Sequence, residues 1–192
     1  LQALDMARVI DEARTTLEQV LGPGMSLRIE IAGPIPAIHA DPSQVLSVLT
    51  NLATNAREAT GGQGSLTIGL DSCVIDDPPL ERQWLRPGRY VRLTVADTGV
   101  GMDAVARALA FHPFFSTKGL GNGRGLGLAM VYGILKQSRG FVWVDSEPGS
   151  GATFTVLFPA SRTGGSTPDT TETILLIESD DQLRPMIAEV LH

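Results

Sequence analysis

The sequence is sparing in several things, and each scarcity narrows what the chain can be. It holds one cysteine, Cys73, among 192 residues, so an internal disulfide is excluded and a reducing compartment is expected. No apolar stretch approaches the roughly 20 residues that span a bilayer, and the N-terminus lacks a signal peptide's charge-then-apolar order. These features lead to the expectation of a cytoplasmic chain with no membrane contact. Lysine occurs twice, at Lys118 and Lys136, no basic run exists, and the formal net charge is -6. That balance argues against a nucleic-acid partner. What remains is 43% hydrophobic and 19% charged, ordinary for a globular protein with room for one domain and a remainder. The opening LQALDMARVIDEA reads as the middle of a helix with no initiator methionine, so the chain is expected to be a piece of a longer protein.

Periodicity supplies the elements. Met6, Val9, Ile10, Ala13, Leu17 and Val20 recur at helical spacing, and Gly22-Pro23-Gly24 stops them. Leu27, Ile29 and Ile31 alternate as a strand. Asp41-Pro42 has the order of a helix start, a capping acid before proline at the first turn, and the helix is expected to run to about Thr60. Strands are expected at 65–70 and 90–96, separated by IDDPPLERQWLRPGR, which reads as an exposed hairpin insertion. A short helix near 103–109, a Gly-rich loop over 111–124, a helix over 125–138 and strands at 141–146 and 153–158 complete the pattern. Helices and antiparallel strands in this order imply a two-layer α/β (α+β) sandwich. After Pro159 the small, polar stretch ASRTGGSTPDTTE reads as a linker over 161–172. The strand-and-helix pattern at 173–192 is too short to bury a core alone, so it reads as the start of another domain.

Three places carry chemistry. On the helix after Asp41, Asn51, Asn55 and Glu58 fall on one narrow face at about 100° per residue, beside an apolar face of Val45, Val48, Leu49, Leu52 and Ala56. Carboxamides four residues apart can offer oxygen to a hard cation such as Mg²⁺; alone, they also read as polar surface residues of an amphipathic helix. Asp97-Thr98-Gly99-Val100-Gly101-Met102 follows a buried-type strand. A carboxylate there can accept a hydrogen bond from an exocyclic amine while glycines admit a flat ring; a plain strand-to-helix turn would look the same. Finally, FHPFFSTK (111–118) leads into GLGNGRGLGL (119–128), five alternating glycines ending at a helix start. Backbone N–H groups and a helix N-terminus suit phosphate, although a flexible surface loop has similar composition. The segment is neither a Walker A loop, lacking Gly-Lys-Ser/Thr, nor a Rossmann fingerprint, lacking a strand that feeds it.

In this order and spacing, the elements resemble the GHKL superfamily, and within it the sensor histidine kinases, over residues 1–159. NLATNAREA (51–59) is similar to the N box, DTGVGM (97–102) to the G1 box, 111–118 to the F box, and the glycines from Gly121 to Leu128 to the G2 box. EPGSGATFTVLFP resembles the family's last strands. The resemblance implies a mixed, mainly antiparallel sheet packed on one face by helices, with residues 1–160 as a catalytic ATP-binding domain. It further implies that Asp97 receives the adenine amino group, that Gly99, Gly101 and Met102 shape the base pocket, and that Thr153 lies beneath it. Asn55 would hold Mg²⁺, and Asn51 would act in catalysis with Lys118. Thr117, Lys118, Gly121, Gly123, Arg124, Gly125, Leu126, Gly127 and Leu128 would hold the phosphates of ATP, with 111–124 as a lid. An amide cannot serve as a general base, so Asn51 favours phosphoryl transfer over hydrolysis. Members of the family often place Lys three residues after the Mg²⁺ asparagine, whereas Glu58 stands here beside Arg57. A phosphoacceptor histidine followed by an acid is missing: His39 precedes Ala, His112 precedes Pro and His192 is the last residue. The implied partner is therefore a separate dimerisation and histidine phosphotransfer domain, with the chain itself monomeric. The tail ILLIESDDQLRPMIAEVL resembles the first strand and helix of a receiver domain, with Glu178 in the place of the first Mg²⁺-binding acid and Ser179 in that of the second. The alternatives are a GHKL-type ATPase or a nucleotide-binding pseudokinase module.

Overall fold

The computed structural model describes residues 2–116 and 125–161. The expected linker, apart from Ser161, and the expected receiver start lie outside the described residues. So do Thr117, Lys118, Gly121, Gly123 and Arg124.

Helix α1 (Met6–Leu21) starts where Asp5 caps it, the carboxylate accepting from the N–H groups of Ala7 and Arg8 at 3.0 and 3.3 Å. It buries Met6, Val9, Ile10, Ala13, Leu17 and Leu21. The opening motif reads as mid-helix, but the residues before Asp5 are not helical. Gln2–Leu4 forms a strand, β1, which pairs antiparallel with β3 (Ile38–Ala40). The periodic stretch that begins at Met6 is the helix, and the Asp5 cap separates it from the strand before it.

Helix α2 (Pro42–Ala59) begins as read: Asp41 accepts from the Ser43 N–H at 2.8 Å and its hydroxyl at 2.6 Å. Val45, Val48, Leu49, Leu52, Ala53 and Ala56 are buried. The main sheet has the order β2-β4-β5-β7-β6, built from β2 (Met25–Ile31), β4 (Gly64–Ile75), β5 (Gly88–Asp97), β6 (Phe141–Ser146) and β7 (Ala152–Pro159). β2 runs parallel to β4 and every other pair is antiparallel, so the sheet is mixed and mainly antiparallel. Alternate residues Leu66, Ile68 and Leu70, Val91, Leu93 and Val95, and Phe154, Val156 and Phe158 join the helices in one core. Each such side chain contributes about 1.5–3 kcal/mol by leaving water. Two further helices, α3 (Ala104–Leu109) and α4 (Gly127–Gln137), complete the unit, with Val131 and Leu135 of α4 buried.

The insertion between β4 and β5 is the hairpin read in the sequence, and most of its residues are exposed, but it does not stand clear of the sheet. Both strands are longer than expected and stay paired as far as Ile75 and Gly88. A turn of 3-10 helix at Leu80–Arg82 folds the tip back, Leu85 is buried with Tyr90 and Leu157, and Trp84 packs on Phe141 and Trp143 at ring-centroid distances of 5.6 and 6.0 Å. Apolar residues in a polar insertion thus cover part of the sheet's other face.

Candidate nucleotide site

Asp97 ends β5, and the alternation of that strand turns its side chain to the same face as Val91, Leu93 and Val95. It is 7% exposed. One oxygen accepts from the Gly99 N–H at 2.8 Å. Burial pushes the carboxyl above its ordinary range, opposed by hydrogen bonds from the backbone of Gly99 and Ala152. No cation pairs with Asp97 among the described residues. The group is a buried acceptor with lone pairs to spare.

The loop that follows is clamped from two sides. Val100 N–H donates to the Ala59 carbonyl at 3.1 Å, which ties the loop to the end of α2. From the other side the β6–β7 turn closes down: Gly149 N–H donates to the Val100 carbonyl at 2.7 Å. Gly101 has φ +70°, and a Cβ there would strike the Glu147 carbonyl oxygen. Only glycine meets both demands. Met102 N–H donates to the Ser146 hydroxyl at 2.9 Å.

Asn51 and Asn55 lie half-buried on α2. The Asn51 amide nitrogen donates to the Ser47 carbonyl at 2.8 Å. Its oxygen lies 3.0 Å from where a Cβ on Gly127 would stand, at the first turn of α4. Leu126 caps that helix with no side-chain hydrogen bond, so its first N–H groups are left for another acceptor. Gly125 takes φ +62° and its carbonyl accepts from the Phe114 N–H at 2.9 Å. Phe114 and Gly125 are thereby joined. Leu128 packs against the core.

Helix α2 is the common support. Asn51 stands beside the start of α4 and Ala59 beside the 98–102 loop, eight residues and about 12 Å apart along the helix. Asn55 lies midway. The described carboxamide of Asn55 makes no hydrogen bond to another described residue. An oxygen donor of this kind fits Mg²⁺, which takes few protein ligands when phosphates supply the rest; the described residues contain no cluster of His, Cys, Asp and Glu that would hold a metal by itself.

Thr153 is a correction. β7 sends Ala152 and Phe154 to the core face, so Thr153 points to the opposite one, in register with Ala96 and Asp145. The residue beside Asp97 is Ala152. Two contributors had no local signal in the sequence: Ser146 and Arg107, whose guanidinium donates to the Ser146 carbonyl at 3.1 Å. The hollows walled by Asp77, Pro78, Pro79, Leu80 and Gln83 and by Thr54, Arg57, Glu58, Gly61 and Gly62 contain neither Asp97 nor Asn51 nor Asn55.

The family model for histidine kinase-, DNA gyrase B-, and HSP90-like ATPases matches residues 40–162. The chain belongs to this family. Among curated members it is 38% identical to the sensor kinase CckA of Brucella abortus (strain 2308) over 159 residues, which are 82% of this chain and 17% of that protein. It is 32% identical to the sensor histidine kinase ZraS of Escherichia coli (strain K12) over 85% of this chain and 32% of the relative. The chain thus spans a third or less of these relatives. Full-length ShkA in complex with AMPPNP superposes with a TM-score of 0.68 at 27% identity, covering 86% of this chain and 32% of that one. The nucleotide-free catalytic domain of the histidine kinase ThkA matches the fold with a TM-score of 0.61 at 24% identity, over 83% of this chain and 95% of that one. The mixed sheet with helices on one face is the family's fold.

Proposed function

We propose that the chain binds Mg·ATP and donates the γ-phosphate to a histidine on a separate dimerisation domain in two-component signalling. The observation that carries this reading is the arrangement along α2: an acceptor for the base beyond one end, donors for phosphate beside Asn51, and Asn55 between them. The AMPPNP bound to ShkA and the sensor kinases among the relatives support it. Asp97 accepts from adenine's amino group, and the N–H groups opening α4 take the phosphates. Mg²⁺, held by Asn55 and phosphate oxygens, would neutralise their charge. An imidazole nitrogen of the acceptor histidine attacks the γ-phosphorus, the bond to the β-phosphate oxygen breaks, and ADP leaves. Asn51 cannot take a proton from water; the imidazole attacks through its lone pair, and the proton on its other nitrogen then passes to the acid beside it or to solvent.

In this reading Thr117, Lys118, Gly121, Gly123 and Arg124 complete the phosphate grip. Residues 161–172 link the domain to a receiver beginning at 173, and the chain alone is monomeric and cytoplasmic. His39 lies on β3 and His112 in the loop after α3, neither followed by an acid.

Titration calorimetry with Mg·ATP and transfer from radiolabelled ATP test the proposal together. The chain should bind ATP, stay unlabelled alone, and label an added dimerisation hairpin. Stable label on the chain itself, or no heat of binding, overturns it.

A further inference from the structure

Ser146 ends β6 outside every motif discussed above, yet it makes three bonds around the base loop. It is 9% exposed. Its hydroxyl accepts from Met102 N–H at 2.9 Å and donates to the Gly151 carbonyl at 2.7 Å. Its own carbonyl accepts from Arg107 of α3 at 3.1 Å. A hydroxyl is the smallest side-chain group that can accept and donate at once. Here the two roles are divided between loops that have no sequence proximity: one before α3, the other between β6 and β7.

The Gly151 carbonyl itself stands against the loop that carries Gly101. It lies 3.2 Å from the position of a Cβ on Gly101, while a Cβ on Gly151 would strike the Asp97 carbonyl oxygen. The turn therefore rests directly on the strand end that presents Asp97 and on the glycine next to Met102. Nothing else described holds Met102 N–H. Without the Ser146 hydroxyl, a half-buried donor and a buried carbonyl both lose a partner, and the loop must move outward to reach water.

We infer that Ser146 is a positioning residue for the base pocket, tying the 98–102 loop to the β6–β7 turn and so fixing Gly101 and Met102 against the adenine edge. Among the described residues it bonds only Met102, Arg107 and Gly151, all on the base side, so its influence is expected on the base half of the site. The inference rests on the ATP-binding reading and predicts a split between base and phosphate recognition that loss of folding would not produce.

The test compares Mg·ATP with inorganic tripolyphosphate, which carries the phosphates and no base, on the whole chain. Wild-type binding of ATP checks the underlying reading; if it is absent, that reading fails before Ser146 is at issue. Given wild-type binding, Ser146→Ala should weaken ATP about tenfold, the scale of one or two buried hydrogen bonds, and leave tripolyphosphate unchanged. Ser146→Thr, which keeps the hydroxyl, should recover most of the ATP affinity. Unchanged ATP affinity in Ser146→Ala, or equal losses for both ligands, overturns the inference. If Ser146→Ala does not fold, Arg107→Gln carries the test: about threefold weaker ATP with tripolyphosphate unaffected supports it, and no selective loss overturns it.

Discussion

The Asn51 side-chain oxygen lies 3.0 Å from where a Cβ on Gly127 would stand. This close approach joins α2 to the start of α4 and makes Gly127 a spacer between two groups assigned to the phosphates. Replacing it sets two effects against each other. Alanine gains at most about 1 kcal/mol of helix propensity, and less in a first turn, while the methyl group must displace Asn51 by a few tenths of an ångström. Folding stability of Gly127→Ala should therefore change by less than about 1 kcal/mol. Transfer should suffer more, because small misplacements beside a reacting group are costly: a fall in kcat of about tenfold is expected. Phosphotransfer kinetics and urea unfolding on the same variant separate the two. An unchanged kcat would remove Asn51 from the reacting phosphate.

Gly125 offers the opposite case. Its φ of +62° and the backbone of Phe114 and Phe115, 2.5 Å from any added Cβ, leave no room for alanine. Gly125→Ala should lose at least roughly 1–2 kcal/mol from the left-handed backbone alone. Gly133, within α4, has nothing within 4 Å of an added Cβ. Gly133→Ala should gain about 0.5–1 kcal/mol. Chemical denaturation of the pair reads both signs. A loss at Gly133 or none at Gly125 would contradict the packing described.

Much of this was legible in the sequence where the signal is local. Asp41-Pro42 announced α2, and the alternation Val91, Leu93, Val95 placed Asp97 at the end of a buried strand. Signals failed where partners are distant. β1 and β3 are three residues each and pair across more than 30 positions, so neither has a pattern of its own. Leu85 looked like part of an exposed loop because the surface that buries it comes from β5, β6 and β7, whereas Trp84 beside it does stay exposed. Thr153 failed on parity: a shift of one residue along a strand reverses the face, and the alternation of β7 chooses Ala152. Ser146 is one serine at a strand end, and only the fold brings Met102 and Gly151 to it.

The aromatic seat of the insertion gives a spectroscopic prediction. Both tryptophans of the chain, Trp84 and Trp143, lie within it. Arg82 holds the seat: its guanidinium stands 4.4 Å from the Trp143 ring centre and pairs with Asp145 at 2.9 Å. Asp145 is largely exposed, so the pair contributes only about 0.2–1 kcal/mol. Arg82→Ala should shift tryptophan emission to longer wavelength with a small loss of stability. ATP affinity should not change, because the seat lies on the sheet face away from the helices. Emission that stays fixed would mean the insertion is held by its apolar contacts alone.

Asp97 carries the last prediction, in which stability and binding move in opposite directions. Burial raises its carboxyl above the ordinary value of 3.8 even after the Gly99 and Ala152 hydrogen bonds are counted. The folded chain therefore holds that proton more tightly than the unfolded chain. Its contribution favours folding below the unfolded value and is lost as pH rises through the folded one, so at neutral pH the ionised group is a net cost. Asp97→Asn removes the charge while keeping an oxygen for the Gly99 N–H. Without nucleotide, the variant should melt no lower than the parent at pH 7, and the difference between them should shrink as pH falls towards 3.8. Comparing the two chains at each pH cancels the other titrating groups. ATP binding should move the other way, at least about tenfold weaker, since the adenine amine then meets a poorer acceptor in a closed site. Calorimetric melting from pH 4 to 7 and titration with Mg·ATP at pH 7 read the two halves. A variant that melts lower at neutral pH would show the carboxylate to be a structural anchor, and one that binds ATP as the parent does would place the base elsewhere.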